Sequence, residues 1–443
     1  MEYKNISNID KTKIQPFIDE YKTILGQCKT EQEWVEYIRV GSTDIKNLKD
    51  DELYFIKNNQ HSCILFKPKF INNELQPFNI IASHIDSPRI DIKPNPLYED
   101  KDIALFKSHY YGGIKTYQWS CIPLEIRGII YTLDNKKLDC KEIFKDNTFV
   151  ISDLLPHLSD EQDKRTSNKT IKGEELNIIV GSIQIKTEKD KVKSYILQLL
   201  KEKGIEEEDI SCSDIRFVPK FNPEYVGFDN GLIGGYGQDD RVCAYTSYKA
   251  LIDTSNNNRS IMCIFADKEE IGSIGISGMR SNWWLNYLQE IFENNKLLHR
   301  DASFNEFLRK CFCISADVDG AIDPTFSEPF EINNACYINR GITIEKDGAS
   351  GSGKYFASEC PGELANKLRI LFKNNNINYQ VVEMGNVDTG AGGTVAEFIA
   401  DKGINVIDCG CPVLSMHSPY ELTSIFDIYE CYKAYKVFFE KWN

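Results

Sequence analysis

The chain has 443 residues, of which 42% are hydrophobic and 27% charged, and its formal net charge is -14. This length is too great for one ordinary core, so we expect two domains, and the apolar content excludes a disordered protein. An acidic surface repels nucleic acid and anionic membranes, so we expect neither as a partner.

The sequence carries no pattern typical of secreted or membrane proteins. The opening stretch MEYKNISNIDKTK lacks the apolar centre of a signal peptide. No run reaches the roughly 20 apolar residues that span a bilayer. The 14 cysteines are scattered without a CxxC pair, which indicates free thiols in a reducing compartment. We therefore expect a cytoplasmic protein.

Helical and strand patterns alternate in the first part of the chain. The first 60 residues combine helical patterns with polar turns, and we predict the first strand at HSCILF, residues 61–66. The run FNIIASHIDSPRIDIKP, residues 78–94, predicts a strand that enters a loop at His84.

The character of the sequence changes between residues 97 and 225, where short β-like runs are separated by polar stretches. One amphipathic helix interrupts them, with apolar residues at helical spacing from Val192 to Leu200 and a stop at Gly204. The stretch EKGIEEEDISCSD, residues 202–214, is typical of a solvated linker. We predict a β-rich insertion domain over residues 97–225.

From about residue 226 the alternation of strands and helices returns. The runs SIMCIFA, CFCISADV and INVIDCGC are of buried-strand type, and helical patterns lie between them, one with Pro361 in its first turn. We predict an α/β fold in which residues 1–96 and 226–443 form a three-layer catalytic domain. Its largely parallel mixed sheet is flanked by helices, and the β-rich insertion interrupts it.

Side chains of metal-binding type follow the ends of the predicted strands. They are His84 after NIIAS, Glu269 and Glu270 after IMCIFADK, Asp317 after CISA, and His417 after VIDCGCPVLSM. In an open α/β sheet, ligands bind beyond the carboxyl ends of the strands. These side chains therefore converge if the strands are neighbours and parallel.

Each residue taken alone has a simpler explanation. A histidine after a strand is more often packed or capping, and a Glu-Glu pair is ordinarily a solvated turn. Asp239, which opens a helical run, is by default an N-cap. Asp317 and Asp319 could end a strand in a turn. Together, however, these explanations do not account for the fact that all these residues except Asp239 follow predicted strands.

The residue types fit a metal centre. Two imidazoles and three carboxylates suit a borderline cation such as zinc, cobalt or manganese. A two-metal site needs a carboxylate that bridges ions roughly 3.5–4 Å apart and a free carboxylate as general base. Adjacent Glu269 and Glu270 can divide these duties. Asp86, two residues after His84, can hold the imidazole through a hydrogen bond.

Six segments carry a family resemblance: SHIDSP, GQDDRVCA, FADKEEIGS, ISADVDGAIDP, DTGAGGTVAE and CPVLSMHSPYEL. In order and spacing they resemble the aspartyl aminopeptidase and vacuolar aminopeptidase I family, and the likeness covers nearly the whole chain. The resemblance implies a metalloaminopeptidase that removes amino-terminal residues from peptides. It also implies a preference for amino-terminal Asp or Glu, although some relatives prefer neutral residues.

The resemblance implies two divalent ions in each subunit, with zinc expected and cobalt or manganese as alternatives. Asp239 would bridge the ions. His84 and Asp317 would complete one site, and Glu270 and His417 the other. Only the resemblance, and no spacing argument, assigns Asp239 to the bridge.

The remaining chemical roles also come from the resemblance. Glu269 would be the general base, and Asp86 would hold His84. The glycines of DTGAGGT, Gly392 among them, would let the backbone approach the substrate closely; a flexible surface turn is the alternative.

The contacts with substrate and with other subunits are implied in the same way. Lys354 would bind an acidic substrate side chain, with Arg340 as a second candidate and a surface charge as the alternative. His157 matches a family histidine that reaches the active site of a neighbouring subunit. The family forms tetrahedral dodecamers built from dimers, with the insertion domain at the dimer contact.

Two other functions remain open on the sequence. The chain could be a metal-dependent deacylase of acylated amino acids, or a catalytically silent assembly subunit. A silent subunit would be expected to lack metal ligands, yet all five candidate ligands are present.

Overall fold

The structure is a computed structural model, and it describes residues 11–186, 189–255, 257–295, 303–348, 353–354, 358–389 and 392–443. The chain divides into two compact units. Unit 1 comprises residues 1–86, 223–416 and 420–443, and unit 2 comprises residues 87–222 and 417–419.

The α-helices of the described residues, in chain order, have the following bounds: α1 (Lys11–Gln27), α2 (Glu31–Tyr37), α3 (Cys140–Ile143), α4 (Asp160–Asp163), α5 (Lys191–Glu202), α6 (Glu207–Ser211), α7 (Gln238–Asp253), α8 (Trp283–Asn294), α9 (Phe304–Lys310), α10 (Gly362–Asn374), α11 (Ala396–Ala400) and α12 (Ile425–Lys441).

The β-strands have these bounds: β1 (Tyr54–Asn58), β2 (Ser62–Lys67), β3 (Phe70–Ile71), β4 (Glu74–Leu75), β5 (Phe78–His84), β6 (Arg89–Asp100), β7 (Ile103–Tyr111), β8 (Leu124–Tyr131), β9 (Lys137–Asp139), β10 (Val150–Ile151), β11 (Ile178–Gly181), β12 (Asp214–Pro219), β13 (Glu224–Val226), β14 (Leu232–Gly235), β15 (Ser260–Ala266), β16 (Phe312–Ser315), β17 (Asp319–Gly320), β18 (Ile342–Glu345), β19 (Asp347–Gly348), β20 (Ser358–Glu359), β21 (Tyr379–Val382), β22 (Asn405–Asp408), β23 (Pro412–Val413) and β24 (Glu421–Ser424).

Unit 1 is built on an eight-stranded sheet with the order β1-β2-β15-β5-β16-β22-β18-β21. Strand β5 lies between β15 and β16 and is parallel to both, and β16 is parallel to β22. Strands β1 and β2 form an antiparallel hairpin at one edge. The prediction of a largely parallel mixed sheet is confirmed.

Helices cover both faces of this sheet because its central strands are apolar on both sides. Every residue of β5 and β15 is buried. One core packs alternate strand residues such as Ile81 and Phe265 against α1, α7 and α12. The other core packs residues such as Ile80 and Ile264 against α8 and α9. The predicted three-layer arrangement follows from this alternation.

Unit 2 contains a seven-stranded antiparallel sheet with the order β10-β11-β7-β6-β12-β8-β9. Unit 2 begins at residue 87, whereas the predicted insertion domain begins at residue 97. The reason is β6, a continuous strand over residues 89–100 that runs across the predicted boundary. The predicted amphipathic helix is α5, which ends two residues before Gly204.

Two predictions of local structure are wrong. The strand predicted at residues 61–66 is not the first, because β1 precedes it and pairs with it. The stretch 202–214 is not a solvated linker, because it contains α6. Ile210 of α6 is 3% exposed, and the Asp209 carboxylate accepts the Glu206 backbone N–H at 2.8 Å. Three positions of this stretch are buried, Ile205, Asp209 and Ile210, although its charged residues favoured a solvated linker.

No helix within the described ranges combines the length and the apolar character that a membrane crossing requires.

Candidate metal centre

His84 is the last residue of β5, and its side chain is 2% exposed. The backbone of Ala266, the last residue of β15, is its register partner in the parallel pair. The Nδ1 atom lies 3.0 Å from the Asp86 carbonyl oxygen and 3.4 Å from Asp86 Oδ1. This contact orients the ring so that Nε2 faces other carboxylates.

Asp239 presents the nearest of these carboxylates, with Oδ1 at 3.0 Å from His84 Nε2. It precedes the regular part of α7, since Asp239 and Asp240 have non-helical backbone angles. The backbone N–H of Asp239 donates to Glu421 Oε2 at 3.1 Å. Asp239 is 3% exposed, so this carboxylate is held away from bulk water.

Glu269 and Glu270 lie in a single 3-10 turn just beyond β15. The Asp86 carboxylate accepts both of their backbone N–H groups, with Oδ1 at 3.2 Å from Glu269 N and Oδ2 at 3.3 Å from Glu270 N. Asp86 is fully buried. One carboxylate therefore fixes both His84 and the turn that carries the two glutamates.

Asp317 lies two residues beyond the end of β16, and its Oδ1 is 3.6 Å from His84 Nε2. The backbone of Gly410 passes so close that a Cβ there would be 1.5 Å from the Asp317 carbonyl oxygen. Glycine is required at residue 410 because any side chain would displace the backbone that carries Asp317.

The structure thus brings His84, Asp239, Glu269, Glu270 and Asp317 together. Two sets of donor atoms lie within 4.8 Å of one another: His84 with Glu269 and Asp317, and His84 with Asp239 and Glu270. These sets differ from the predicted division of ligands between two ions. They place Glu269, the predicted base, close enough to be a ligand as well.

Crowding and burial of the carboxylates in this cluster raise the pKa values of several of them. Burial and then the carboxylates of Asp317, Asp86 and Asp239 raise the pKa of Glu269 to about 8, against the lowering effect of His84. Burial likewise raises the pKa of Asp317. Burial alone would lower the pKa of His84, but Asp317 and Asp239 hold it well above its usual value.

The donor set fits a divalent cation. The contact of His84 Nδ1 with Asp86 leaves Nε2 facing the oxygens of Asp239 and Asp317 at 3.0 and 3.6 Å. A bare lone pair on Nε2 would repel these oxygens, and either a proton on Nε2 or a cation between Nε2 and the carboxylates removes that repulsion. Imidazole and carboxylate are the ligands that zinc prefers alongside thiolate. A cation here also removes the cost of several like charges in one buried site.

His417 is grouped with unit 2 and does not belong to either donor set among the described residues. Its Nδ1 lies 2.8 Å from the carbonyl oxygen of Gly113, in the same unit. Its backbone φ is 64°, in the left-handed region. The role of His417 as a ligand stays a prediction.

The predicted substrate contacts lie at the surface or in loops. His157 is exposed in a short 3-10 helix of unit 2. Lys354 Nζ lies 3.0 Å from Asp347 and 3.4 Å from Glu359, so its charge is already shared with two carboxylates. The Arg340 guanidinium stacks on Tyr337 with 3.7 Å to the ring centroid.

Gly392 is half-buried, and a Cβ there would meet the flexible end of Met384 at 2.7 Å. Its neighbours Gly390 and Ala391 lie outside the described residues, as do residues 349–352 and 355–357 near Lys354. None of these four substrate-contact predictions is tested by the structure.

Sequence reasoning missed Glu421, whose carboxylate accepts the Asp239 N–H and which is 1% exposed. Its position in the segment CPVLSMHSPYEL, four residues after His417, was the feature of the sequence that could have identified it. A second missed group is Glu31, His61 and Asp267, whose donor atoms also lie within 4.8 Å of one another. Nothing in the local sequence links these three residues.

Comparisons with known proteins identify the family of the chain. Residues 23–439 match the family described as Aminopeptidase I zinc metalloprotease (M18). The Probable M18 family aminopeptidase 1 of Borrelia garinii subsp. bavariensis is 40% identical over 454 residues, which cover 99% of this chain and 98% of that protein.

Solved structures agree in fold. The crystal structure of an M18 family aminopeptidase from Thermotoga maritima is 37% identical, covers 100% of both chains and gives a TM-score of 0.91. The mApe1 dodecamer of S. cerevisiae is 18% identical, with a TM-score of 0.72 over 97% of this chain and 98% of that one, and shares the fold. The predicted resemblance is confirmed: the chain belongs to the aminopeptidase I (M18) family of zinc metalloproteases and is a metal-dependent aminopeptidase.

Proposed function

We propose that this aminopeptidase uses two divalent ions, zinc in the first instance, to remove amino-terminal residues from peptides. Asp239 would hold both ions, His84 and Asp317 would complete one site, and Glu270 would complete the other. The family resemblance implies that His417 would bind the same ion as Glu270. The observation that supports the proposal is His84 Nε2 facing two carboxylates at 3.0 and 3.6 Å in a buried site.

The reaction is hydrolysis of the first peptide bond. Bound divalent ions would supply polarisation of the scissile carbonyl and a lowered pKa for the attacking water. Glu269 takes the proton of that water and returns it to the leaving amine. His84 and Asp239 are held still by Asp86 and Glu421, so no reorganisation of the protein is needed at the moment of attack.

Glu269 is suited to the base role because its position is fixed while its carboxylate stays available. Its backbone N–H is bound by Asp86, and its Oε2 lies 4.0 Å from His84 Nε2. The side chain is 16% exposed, whereas those of His84 and Asp239 are 2% and 4% exposed. Water and substrate can therefore reach Glu269 more easily than the deeper ligands.

The function is tested with purified protein loaded with zinc, cobalt or manganese. We expect hydrolysis of aminoacyl chromogens carrying amino-terminal Asp, Glu, Leu, Ala or Lys, and its loss in a chelator. Addition of the metal should restore the activity. Turnover of N-acetyl amino acids without turnover of any aminoacyl chromogen would indicate the deacylase, and activity on neither class in any metal would overturn the proposal.

We also propose that Lys354 gives the enzyme a preference for acidic amino-terminal residues. Charge-assisted hydrogen bonds contribute more than neutral ones, so an ammonium group in the side-chain pocket discriminates strongly. Asp347 and Glu359 hold the ammonium group of Lys354 in place. The carboxylate of a substrate would have to compete with them, which limits the gain.

The prediction is that Lys354→Ala lowers the ratio of kcat/KM for Asp and Glu substrates over Leu substrates about tenfold, because it removes one charged contact of ~1.5 kcal/mol. Lys346→Ala is the matched control, since Lys346 Nζ contacts the same two carboxylates at 3.4 and 2.7 Å. Kinetics on both substrate classes measure the ratio. An unchanged ratio in Lys354→Ala, or an equal loss in the control, removes Lys354 from the pocket.

We propose that the chain assembles as a tetrahedral dodecamer of dimers, in which His157 reaches a neighbouring active site. Three leucines around His157 support an interface there, because they are exposed despite their apolar side chains. Leu154 is 47%, Leu155 48% and Leu158 68% exposed.

We propose a cytoplasmic location on the basis of the cysteines. Every one of the 14 cysteines is a free thiol, and all but Cys121 and Cys212 are buried. Free thiols in this number are typical of a reducing compartment.

A further inference from the structure

The segment Asp267–Ser277, which we call the base loop, carries Glu269 and Glu270 and follows β15. Five of its eleven residues are exposed, including Ile274 at 64% and Ile276 at 65%. Its backbone enters the left-handed region repeatedly: φ is 67° at Lys268, 87° at Gly272, 57° at Ser273 and 116° at Gly275. A loop with so little burial and such a backbone keeps one conformation only if the surroundings hold it.

Asp86 holds the base loop from the side of the metal centre, through the N–H groups of Glu269 and Glu270. This contact fixes the backbone of two residues. It leaves the far part of the loop, from Gly272 to Ser277, to be fixed by other groups.

Asp267 closes the base loop on itself. Its Oδ2 accepts the Ser277 hydroxyl at 2.6 Å, and its backbone N–H donates to the Ser277 carbonyl oxygen at 3.4 Å. Asp267 is fully buried and Ser277 is 2% exposed. The first and last residues of the loop are therefore joined by two hydrogen bonds.

Two residues of the β1–β2 hairpin, Asn58 and His61, lie against the ends of the base loop. Asn58 Nδ2 donates to the Ile276 carbonyl oxygen at 3.1 Å. His61 Nδ1 lies 3.0 Å from Glu31 Oε1 and 4.0 Å from Asp267 Oδ2. His61 thus stands between two buried carboxylates, one on α2 and one at the start of the base loop.

A metal ion is a poor explanation of Glu31, His61 and Asp267. Lys268 Nζ already lies 3.0 Å from Asp267 Oδ2 and supplies a positive charge there. A further cation beside that ammonium group would be repelled by it. The hydrogen bond of His61 to Glu31 needs no ion.

We infer that His61, with Asn58, is a positioning residue that fixes the base loop and through it the carboxylate of Glu269. The inference rests on the proposed role of Glu269 as general base. His61 touches neither the donor sets nor any reacting atom. It acts through its hydrogen bond to Glu31, which keeps the turn of the hairpin beside Asp267, two residues before Glu269.

The expected result for His61→Ala is a 10- to 100-fold lower kcat, comparable to the loss of an outer hydrogen bond in a metal site. KM and metal content should stay within twofold of wild type, because the substrate contacts and ligands are untouched. His61→Gln should recover most of the rate, since its amide can still donate to Glu31. Lys57→Ala is the matched control: Lys57 lies in the same hairpin and binds Glu36 of α2 instead of the base loop.

A double-mutant cycle with Glu269→Gln separates positioning from general damage. If His61 acts through Glu269, adding His61→Ala to Glu269→Gln costs less than twofold in kcat. An equal loss in both backgrounds, an unchanged kcat in His61→Ala, or failure of His61→Gln to recover the rate overturns the inference. Loss of one bound metal in His61→Ala also overturns it and makes the three residues a cation site.

The same cycle distinguishes failure of the inference from failure of the proposed function. If Glu269→Gln alone keeps wild-type turnover, Glu269 is not the base and the function has to be revised whatever His61 does. If Glu269→Gln is inactive while His61→Ala is unaffected, the function stands and only the positioning role is lost.

Discussion

Replacing Glu269 by glutamine is expected to lower kcat by about 10²- to 10⁴-fold while the bound metal stays near the wild-type amount. Glutamine keeps the size of the side chain and the backbone N–H that Asp86 binds at 3.2 Å. It cannot accept and return a proton. The loss should therefore fall on kcat, with a small change in KM, as measured by steady-state kinetics beside metal analysis.

Glu270→Gln is the matched control for this experiment. The two residues share one turn, and Asp86 binds the N–H of each. In the proposed mechanism Glu270 is a ligand, so its amide variant should lose metal as well as turnover. Added metal should partly recover the activity of Glu270→Gln and leave that of Glu269→Gln unchanged.

The opposite result for the two variants would exchange the roles of base and metal ligand between Glu269 and Glu270. Glu269 lies in a donor set with His84 and Asp317, so its carboxylate has the reach of a ligand. If Glu269→Gln loses metal and Glu270→Gln keeps it, Glu269 binds the ion and Glu270 becomes the candidate base. Normal turnover in both variants would exclude the mechanism.

The position of a residue at a strand end could be predicted where the residue and its strand are close in sequence. His84 ends β5, and Glu269 lies three residues beyond β15, as the apolar runs predicted. Buried parallel strands can be recognised in the sequence because nearly all of their residues are apolar or small. The convergence of three of these strand ends followed from the parallel pairing of neighbouring strands.

The contacts that hold the site could not be predicted, because they join distant parts of the chain. Asp86 binds Glu269 across 183 residues, and Glu421 binds Asp239 across 182. Such hydrogen bonds leave no periodic pattern in the sequence. The position of Gly410 against Asp317 is likewise a close approach of two loops.

Asp239 shows the limit of local reasoning most clearly. Its position before α7 favoured an N-cap, and the structure does place it before the regular helix. Its carboxylate nevertheless lies 3.0 Å from His84 Nε2. A local pattern can identify the start of a helix, but it cannot show which side chains from other strands surround that start.

If the site holds two ions as proposed, Asp239→Asn is expected to remove both of them and with them all measurable turnover. The carboxylate has two oxygens to offer two cations, whereas an amide offers one neutral oxygen and two N–H donors. Since Asp239 is 3% exposed, water cannot easily replace the lost ligand. Metal analysis after dialysis should find less than one ion for each chain, in a protein that is still folded.

Thermal unfolding gives an independent measure of the same loss. A ligand that binds only the folded state stabilises it by about 4 kcal/mol at a thousand times its Kd. A chelator should therefore lower the Tm of the wild-type protein and leave the Tm of Asp239→Asn unchanged. A variant whose Tm still falls with chelator has kept its metal, and Asp239 would then not be the bridge.

Asp240→Asn is the control that separates the two adjacent aspartates. Asp240 is fully buried, and burial together with the nearby Asp317 raises its pKa well above the usual value. A protonated carboxyl resembles an amide in shape and charge, so this substitution should retain metal and most of the activity. If Asp240→Asn loses the metal while Asp239→Asn keeps it, the second aspartate of the pair is the bridge, because only an ionised carboxylate can hold two cations at once.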